Sequence, residues 1–271
     1  MTELPFDTRV IEPDAEHYNA RLVRRLDLTR DLGKFWVRYD GEPVPFEPGQ
    51  YMTIGVVADG KLWQRPYSVA SGPREAADGG YEFYVRHVPV IRFTTLLWRL
   101  PEGHGMRMTG PKGRFMLEPA DTRTHLFVST GTGIAPFISM IRDTIANRRP
   151  RDTVLLHGCS HVEELGYRET LEAWERDGTY PLRYIPTISR PNDPRNAGWT
   201  GRVGRVEGVV QDVCRDLHLQ PDRTVVYICG NPDMILNTES VLVQNGFPEF
   251  HVKKELYWPK GKTATVESAA G

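Results

Sequence analysis

At 271 residues, with 39% hydrophobic and 25% charged residues, the chain has room for two domains with separate cores and the balance of a soluble globular protein. A formal net charge of -1 gives no bulk electrostatic reason for a nucleic acid or an anionic membrane as partner, and neither is expected. Its three cysteines, Cys159, Cys214 and Cys229, include no Cys-x-x-Cys pair, which excludes a four-thiolate iron–sulfur cluster within this chain and offers no disulfide framework.

Residues 1–14 lack a basic segment followed by an apolar run, and no apolar stretch is long enough to span a bilayer. A reducing cytoplasm is therefore the expected compartment. The first half then reads as short strands at 34–39, 51–57 and 81–88, with a turn-rich stretch at 40–50 and one helix over 93–99 ending before Pro101. Closely spaced strands without long helices predict an antiparallel β-barrel.

The second half changes character. An apolar strand at 125–129 precedes a helix on which Ile134, Phe137, Ile138, Ile141 and Ile145 recur at helical spacing. A strand at 153–157, a helix over 162–175, a strand at 182–187, a helix over 203–215 and a strand at 224–229 follow, and Pro232 opens a last helix behind a capping Asn231. The alternation predicts a parallel sheet with helices on both faces. The expected division is a β-barrel domain over 1–118, an α/β nucleotide-binding domain over 119–258 and a C-terminal extension over 259–271, polar and rich in small residues.

Two motifs carry chemistry. Arg65-Pro66-Tyr67-Ser68 puts a forked cation, an aromatic ring and a hydroxyl on one extended segment. These are the groups that hold a pyrophosphate, stack on a flat heterocycle and hydrogen-bond its ring atoms. Arg65 and Tyr67 share side-chain parity, so both face the same side of a strand. Gly131-Thr132-Gly133-Ile134-Ala135-Pro136 lies between an apolar strand and a helix. Gly131 and Gly133 let the backbone approach a phosphate, the helix start supplies N–H groups and positive potential, and Thr130 and Thr132 add hydroxyls. Two nucleotide sites on one chain point to electrons passing between two cofactors.

With Pro48-Gly49-Gln50-Tyr51, Cys229-Gly230-Asn231-Pro232 and Glu255-Leu256-Tyr257-Trp258, these motifs make the chain resemble the ferredoxin/flavodoxin–NADP reductase family, bacterial type, from about Arg21 to Trp258. The resemblance implies FAD on the barrel. Arg65 and Pro66 would meet its pyrophosphate, Tyr67 one face of the isoalloxazine, and Ser68 the region of N5, the hydride acceptor. Tyr84, Val85 and Arg86 match the family's second flavin-contacting strand, Thr94 a hydroxyl near the FAD phosphates, and Thr132 joins the FAD set. Tyr257 would cover the other flavin face and Trp258 the adenine. Ile91 stands where many relatives have glycine, and Arg92 beside it would add a phosphate contact.

For the nicotinamide coenzyme the resemblance implies Thr130, Gly131, Gly133, Cys229, Gly230 and Asn231, with Ser189, Arg190 and Arg202 near a 2′-phosphate. In His157-Gly158-Cys159-Ser160, Ser160 replaces the arginine of a family His-x-x-Arg segment. NADPH is expected, with NADH as the alternative. Ser68, Cys229, Glu255 and Tyr257 form the expected catalytic set. The scattered histidines give no metal-ligand spacing, and no metal is expected.

The implied activity is hydride transfer from NADPH to flavin N5, then single-electron transfer to a ferredoxin or flavodoxin by a monomeric reductase. Lys253 and Lys254 are candidate contacts for an acidic carrier. The alternatives are the reductase component of an oxygenase system and, from another class, a non-catalytic module that senses NAD(P)H or redox state.

Overall fold

The computed structural model describes residues 11–256. Tyr257, Trp258 and 259–271 lie outside the described residues. The chain divides into two units that meet in sequence at Met116 and Leu117.

The first unit is built from β1 (Ala20–Thr29), β2 (Leu32–Tyr39), β3 (Tyr51–Ala58), β4 (Lys61–Ser68), α1 (Pro73–Gly79), β5 (Tyr81–Arg86), α2 (Arg92–Leu97) and β6 (Gly105–Lys112). The strands form one antiparallel sheet in the order β4-β3-β6-β1-β2-β5. Ala58 pairs with Lys61 across the two-residue loop Asp59-Gly60, and both loop residues have positive φ, the backbone that matches the right-handed twist of a hairpin. An isolated bridge between Val69 and Phe83 and the bond from Ala70 N–H to Glu82 O, 2.8 Å, join the end of β4 to β5 and close the sheet into the expected barrel. Period-two alternation sends Phe35, Val37, Met52, Ile54, Val56, Phe83 and Val85 into a fully buried core.

The second unit contains β7 (Thr124–Thr130), α3 (Ala135–Ala146), β8 (Thr153–Cys159), α4 (Arg168–Arg176), β9 (Leu182–Ile188), β10 (Arg202–Val203), α5 (Val206–Asp216), β11 (Thr224–Gly230), α6 (Pro232–Gln244) and β12 (Val252–Leu256). All pairs in the order β10-β9-β8-β7-β11-β12 are parallel. Leu126, Val128, Leu156, Val226 and Ile228 share a core with Val206, Val210 and Val213 of α5 and Ile235 of α6. On the opposite parity Phe127 stacks on Phe137 of α3, centroids 4.6 Å apart. Each such buried aromatic contributes roughly 1.5–3 kcal/mol.

Two expected helices are shorter than their sequence patterns. In place of one helix over 162–175, a 3-10 turn at Val162–Glu164 precedes α4. The Glu164 carboxylate turns back to accept the N–H groups of Ser160 (2.9 Å) and His161 (3.2 Å), and Gly166 separates the turn from α4. The helix expected from 203 starts at Val206 because Val203 pairs with Ile188 as strand and Gly204, at φ 129, breaks the run. The strands β1, β6 and β12 lie outside the stretches expected from sequence. Among the described residues no helix is long and apolar enough to cross a membrane.

His125, the second residue of β7, is fully buried. It stacks on Tyr227 at 5.9 Å, and its Nδ1–H donates to Arg123 O at 2.8 Å. Burial, with Arg151 adding to it, pushes its pKa down to about 4, against about 6.5 in an unfolded chain. The unfolded state therefore binds more protons between these values. The stability His125 confers is complete above pH 6.5 and is lost, at up to about 1.4 kcal/mol per pH unit, as pH falls to 4. The melting temperature of His125→Gln is expected to fall less steeply than wild type across that window; coincident slopes would refute the assignment.

Candidate functional site

Barrel closure assembles one candidate site within the first unit. Arg65, Pro66, Tyr67 and Ser68 end β4, and Tyr84, Val85 and Arg86 end β5. Ser68 and Tyr84 follow directly on either side of the Val69–Phe83 bridge, so two segments distant in sequence lie side by side. Ser68 and Tyr84 are buried, while Arg65, Tyr67 and Arg86 are half-buried. The Tyr67 ring rests 5.9 Å from Phe93 of α2, and burial raises its hydroxyl pKa against the opposing charge of Arg65. The phenol is therefore a neutral stacking surface at any physiological pH. Arg65 Nη1 donates to Gln64 O at 2.9 Å, and Arg86 pairs with Asp31 at 2.8 Å.

Thr94 lies in α2, 3% exposed. Its hydroxyl accepts the Val88 N–H at 3.1 Å and has Val88 O (2.9 Å) and Ile91 O (3.0 Å) as acceptors for its single hydrogen. The threonine thus holds the turn at 88–91. Ile91 caps α2 at φ -101, an extended conformation open to any residue, which explains why glycine is not required there. Arg92 forms an ion pair with Asp59, and its guanidinium lies 4.5 Å over the Trp63 ring.

A separate candidate site, within the second unit, lies at the carboxyl ends of β7 and β11. Strand order runs outward from β7 through β8, β9 and β10 on one side and from β11 to β12 on the other. The gap between β7 and β11 is therefore the topological switch point, where open α/β sheets bind ligands. Behind Thr130 the chain makes a 3-10 turn, Gly131–Ile134, before α3 begins. A Cβ on Gly133 would lie 2.4 Å from Cys229 O and 2.6 Å from Gly230 Cα. A Cβ on Gly230, itself at φ 145, would lie 2.5 Å from Thr130 Oγ1. By contrast, a Cβ on Gly131 would meet nothing within 4 Å, so the outer side of the turn is open. Thr130 Oγ1 accepts the Asn231 N–H at 3.3 Å, and Asn231 Oδ1 caps α6 through the N–H groups of Asp233 and Met234. Cys229 is fully buried, and register pairs it with Glu255 of β12, so these two expected catalytic residues are neighbours. Tyr257 falls outside the described residues, as does Trp258.

The remaining expected residues gather at the ends of β8, β9 and β10. Ser189 N–H donates to Cys159 O at 2.9 Å, Arg190 follows it exposed, and Arg202 pairs with Thr187 along β10 while its guanidinium contacts Asp216. Several neighbours carried no sequence signal. Asn196, 2% exposed, donates to Ser160 O (3.0 Å) and Arg190 O (2.7 Å) and accepts the Val162 N–H (2.9 Å), which fastens the 190–199 loop onto the strand ends. Asp193 accepts from Arg195 and His161, and Arg195 holds its carboxyl well below the usual carboxylate range. His157 contacts Gly131 O at 3.0 Å. Lys253 and Lys254 are engaged by Glu118 and Glu239.

Comparison with known proteins agrees with this division of labour. Residues 19–117 match the oxidoreductase FAD-binding domain and residues 127–240 the oxidoreductase NAD-binding domain. A ferredoxin–NADP reductase B of Sorangium cellulosum is 34% identical over 251 residues, covering 90% of this chain and 98% of the relative. The reductase component 1 of a Comamonas terephthalate 1,2-dioxygenase is 30% identical, covering 89% of this chain and 69% of the relative. A ferredoxin NADP+ reductase structure from Neisseria gonorrhoeae with bound FAD and NADP shares the fold, with TM-score 0.76, 23% identity and coverage of 89% and 99%. The donor set also fits the cofactors: ring, guanidinium and hydroxyl line one barrel edge, and an open-sided glycine turn precedes a helix. With barrel, parallel sheet, motifs and full-length similarity in agreement, the chain belongs to the ferredoxin–NADP reductase family of FAD-dependent oxidoreductases.

Proposed function

We propose that the protein takes a hydride from NADPH and passes electrons singly to a ferredoxin or flavodoxin, acting as a cytoplasmic monomer. In this reading 1–118 holds FAD, 119–258 holds the coenzyme and 259–271 is an extension. The observation that carries it is the presence, in one chain, of both a closed barrel edge bearing Arg65–Ser68 and a glycine turn at a switch point.

FAD, when bound, supplies the conversion of a two-electron donor's hydride into single electrons. The chain's residues do the rest. Arg65 pairs with the pyrophosphate through its forked donors, Tyr67 offers a neutral ring face, and Ser68 hydrogen-bonds the ring beside Tyr84. The turn after Thr130 presents N–H groups and the positive end of α3 to the coenzyme's phosphates. Cys229 shapes the nicotinamide edge, and Glu255 beside it orients the carboxamide or relays a proton.

Arg190 and Arg202 support NADPH. A second reading, an NADH-using reductase of an oxygenase system, is favoured by the carboxylates of Glu163, Glu164 and Asp193 around Ser160. The similarity to an oxygenase reductase component also favours it.

The purified protein is expected to be yellow and to bleach anaerobically with NADPH. A protein that takes up no flavin even from added FAD sinks the reductase reading, whereas flavin that no coenzyme reduces supports a sensing module. Comparing reduction by NADPH and NADH, with Arg190→Ala, separates the two coenzyme readings. NADPH specificity that this substitution lowers by about tenfold, the worth of about 1.4 kcal/mol, supports the first, and a wild-type preference for NADH supports the second. Gly133→Ala forces its methyl against backbone. It is expected to cost roughly 1–3 kcal/mol of stability and to weaken coenzyme binding while flavin content stays at the wild-type level. Unchanged melting and coenzyme affinity would contradict the close packing of this turn.

A further inference from the structure

One buried group at the switch point has no part in the roles above. His157, near the end of β8, is 0% exposed. Its Nε2 lies 3.0 Å from Gly131 O, and its Nδ1 lies 3.4 Å from the hydroxyl of Tyr184 on β9. Burial pushes its pKa down to about 4, so the ring is neutral and carries one N–H. A carbonyl oxygen only accepts, so that hydrogen is on Nε2 and Nδ1 accepts from Tyr184. The chain of donation runs from Tyr184 O–H to His157 Nδ1 and from His157 Nε2–H to Gly131 O.

The target of this chain is the most pliable point of the turn. Gly131 adopts φ 52, a Cβ there would meet nothing within 4 Å, and no side chain of its own restrains it. The next peptide unit is planar and trans, so fixing the direction of Gly131 C=O fixes the opposite direction of Thr132 N–H. The β11 side of the turn is already gripped by the contact of Gly133 with Cys229 and Gly230. His157 supplies the matching grip from β8, the other neighbour of β7.

We propose that His157, backed by Tyr184, is a positioning residue for the coenzyme: it locks the Gly131–Thr132 peptide so that its N–H faces the dinucleotide phosphates. The proposal rests on the reading of this turn as the coenzyme site. Its cost and benefit are those of one buried hydrogen bond to a preorganised backbone, spent before the ligand arrives.

The test uses the FAD-loaded protein. Dissociation constants for NADP+ and NAD+ come from the perturbation of the flavin spectrum, and KM and kcat for NADPH and NADH from ferricyanide reduction. In His157→Leu the donor is lost and the space stays filled; in His157→Gln an N–H donor is kept; in Tyr184→Phe only the hydroxyl behind the imidazole is removed. The leucine variant is expected to raise both the dissociation constant and KM about tenfold, the effect of losing about 1.4 kcal/mol, with kcat and flavin content near wild type. Glutamine is expected to recover much of the loss, and Tyr184→Phe to weaken binding about threefold. Equal shifts for leucine and glutamine, or a fall in kcat at unchanged KM, overturn the proposal. Should the leucine variant fail to fold, wild-type affinities in both remaining variants overturn it equally. A wild-type protein that binds neither coenzyme overturns the underlying reading of the turn instead.

Discussion

At the carboxyl ends of β7 and β11, the turn at Gly133 packs directly against the end of β11. A methyl at Gly133 would lie 2.4 Å from a carbonyl oxygen and 2.6 Å from an α-carbon. Neither atom can rotate away as a side chain can, so the contact is relieved only by moving a strand or the turn. That constraint determines much around it. Gly230 must accept φ 145 and leave room for Thr130, and the Thr130 hydroxyl is thereby placed to accept the Asn231 N–H. Asn231 is in turn fixed as the cap of α6. The starts of α3 and α6, each carrying the positive end of a helix, are thus held in relation to each other at a switch point. In the proposed reading, a pyrophosphate would meet a turn already fixed by backbone packing.

The barrel reaches a comparable end by closure rather than close approach. Arg65–Ser68 and Tyr84–Arg86 sit at opposite edges of the sheet order, and only the joining of β4 to β5 at Val69 and Phe83 makes them neighbours. Closure also removes two strand edges that would otherwise present unpaired backbone groups. The same step that protects the sheet therefore makes a surface bearing ring, cation and hydroxyl.

What the sequence disclosed follows from which interactions are local. Alternation of apolar residues is a local property, and the strands at 51–57, 125–129, 153–157, 182–187 and 224–229 were readable from it. The Asp59-Gly60 hairpin was equally available, since a positive-φ pair of this kind is a strong turn signal, yet the strand that follows it, Lys61–Ser68, is too mixed in polarity to stand out. Helix extent over 162–175 was misjudged because Glu164 spends its carboxylate on backbone N–H groups four and three residues earlier, a choice that helical periodicity does not encode. The hydrogen bonds of Asn196 and His157 were silent for a related reason. Their partners, Ser160 and Gly131, are 36 and 26 residues away, and a lone polar residue does not announce its acceptor.

The backbone at Ser160 brings a carboxylate to the end of β8. Two successive N–H groups at the end of β8 need an acceptor, and Glu164 provides it. An anionic ligand seated on those amides would compete with the carboxylate for the same hydrogens and feel its charge. Two like charges about 4 Å apart repel by about 1 kcal/mol in water and about 4 kcal/mol at an effective dielectric constant of 20. Arg190 would act in the opposite direction, while Arg202 is partly neutralised by Asp216 and Arg195 by Asp193 and Glu163. In the proposed coenzyme site, discrimination at the 2′ position would therefore be a difference between opposing electrostatic terms. Such a balance moves with a single residue and with ionic strength, whereas the glycine turn, held by backbone packing, is insensitive to both. In the proposed reading, coenzyme affinity and coenzyme choice thus belong to physically separate parts of the same strand ends.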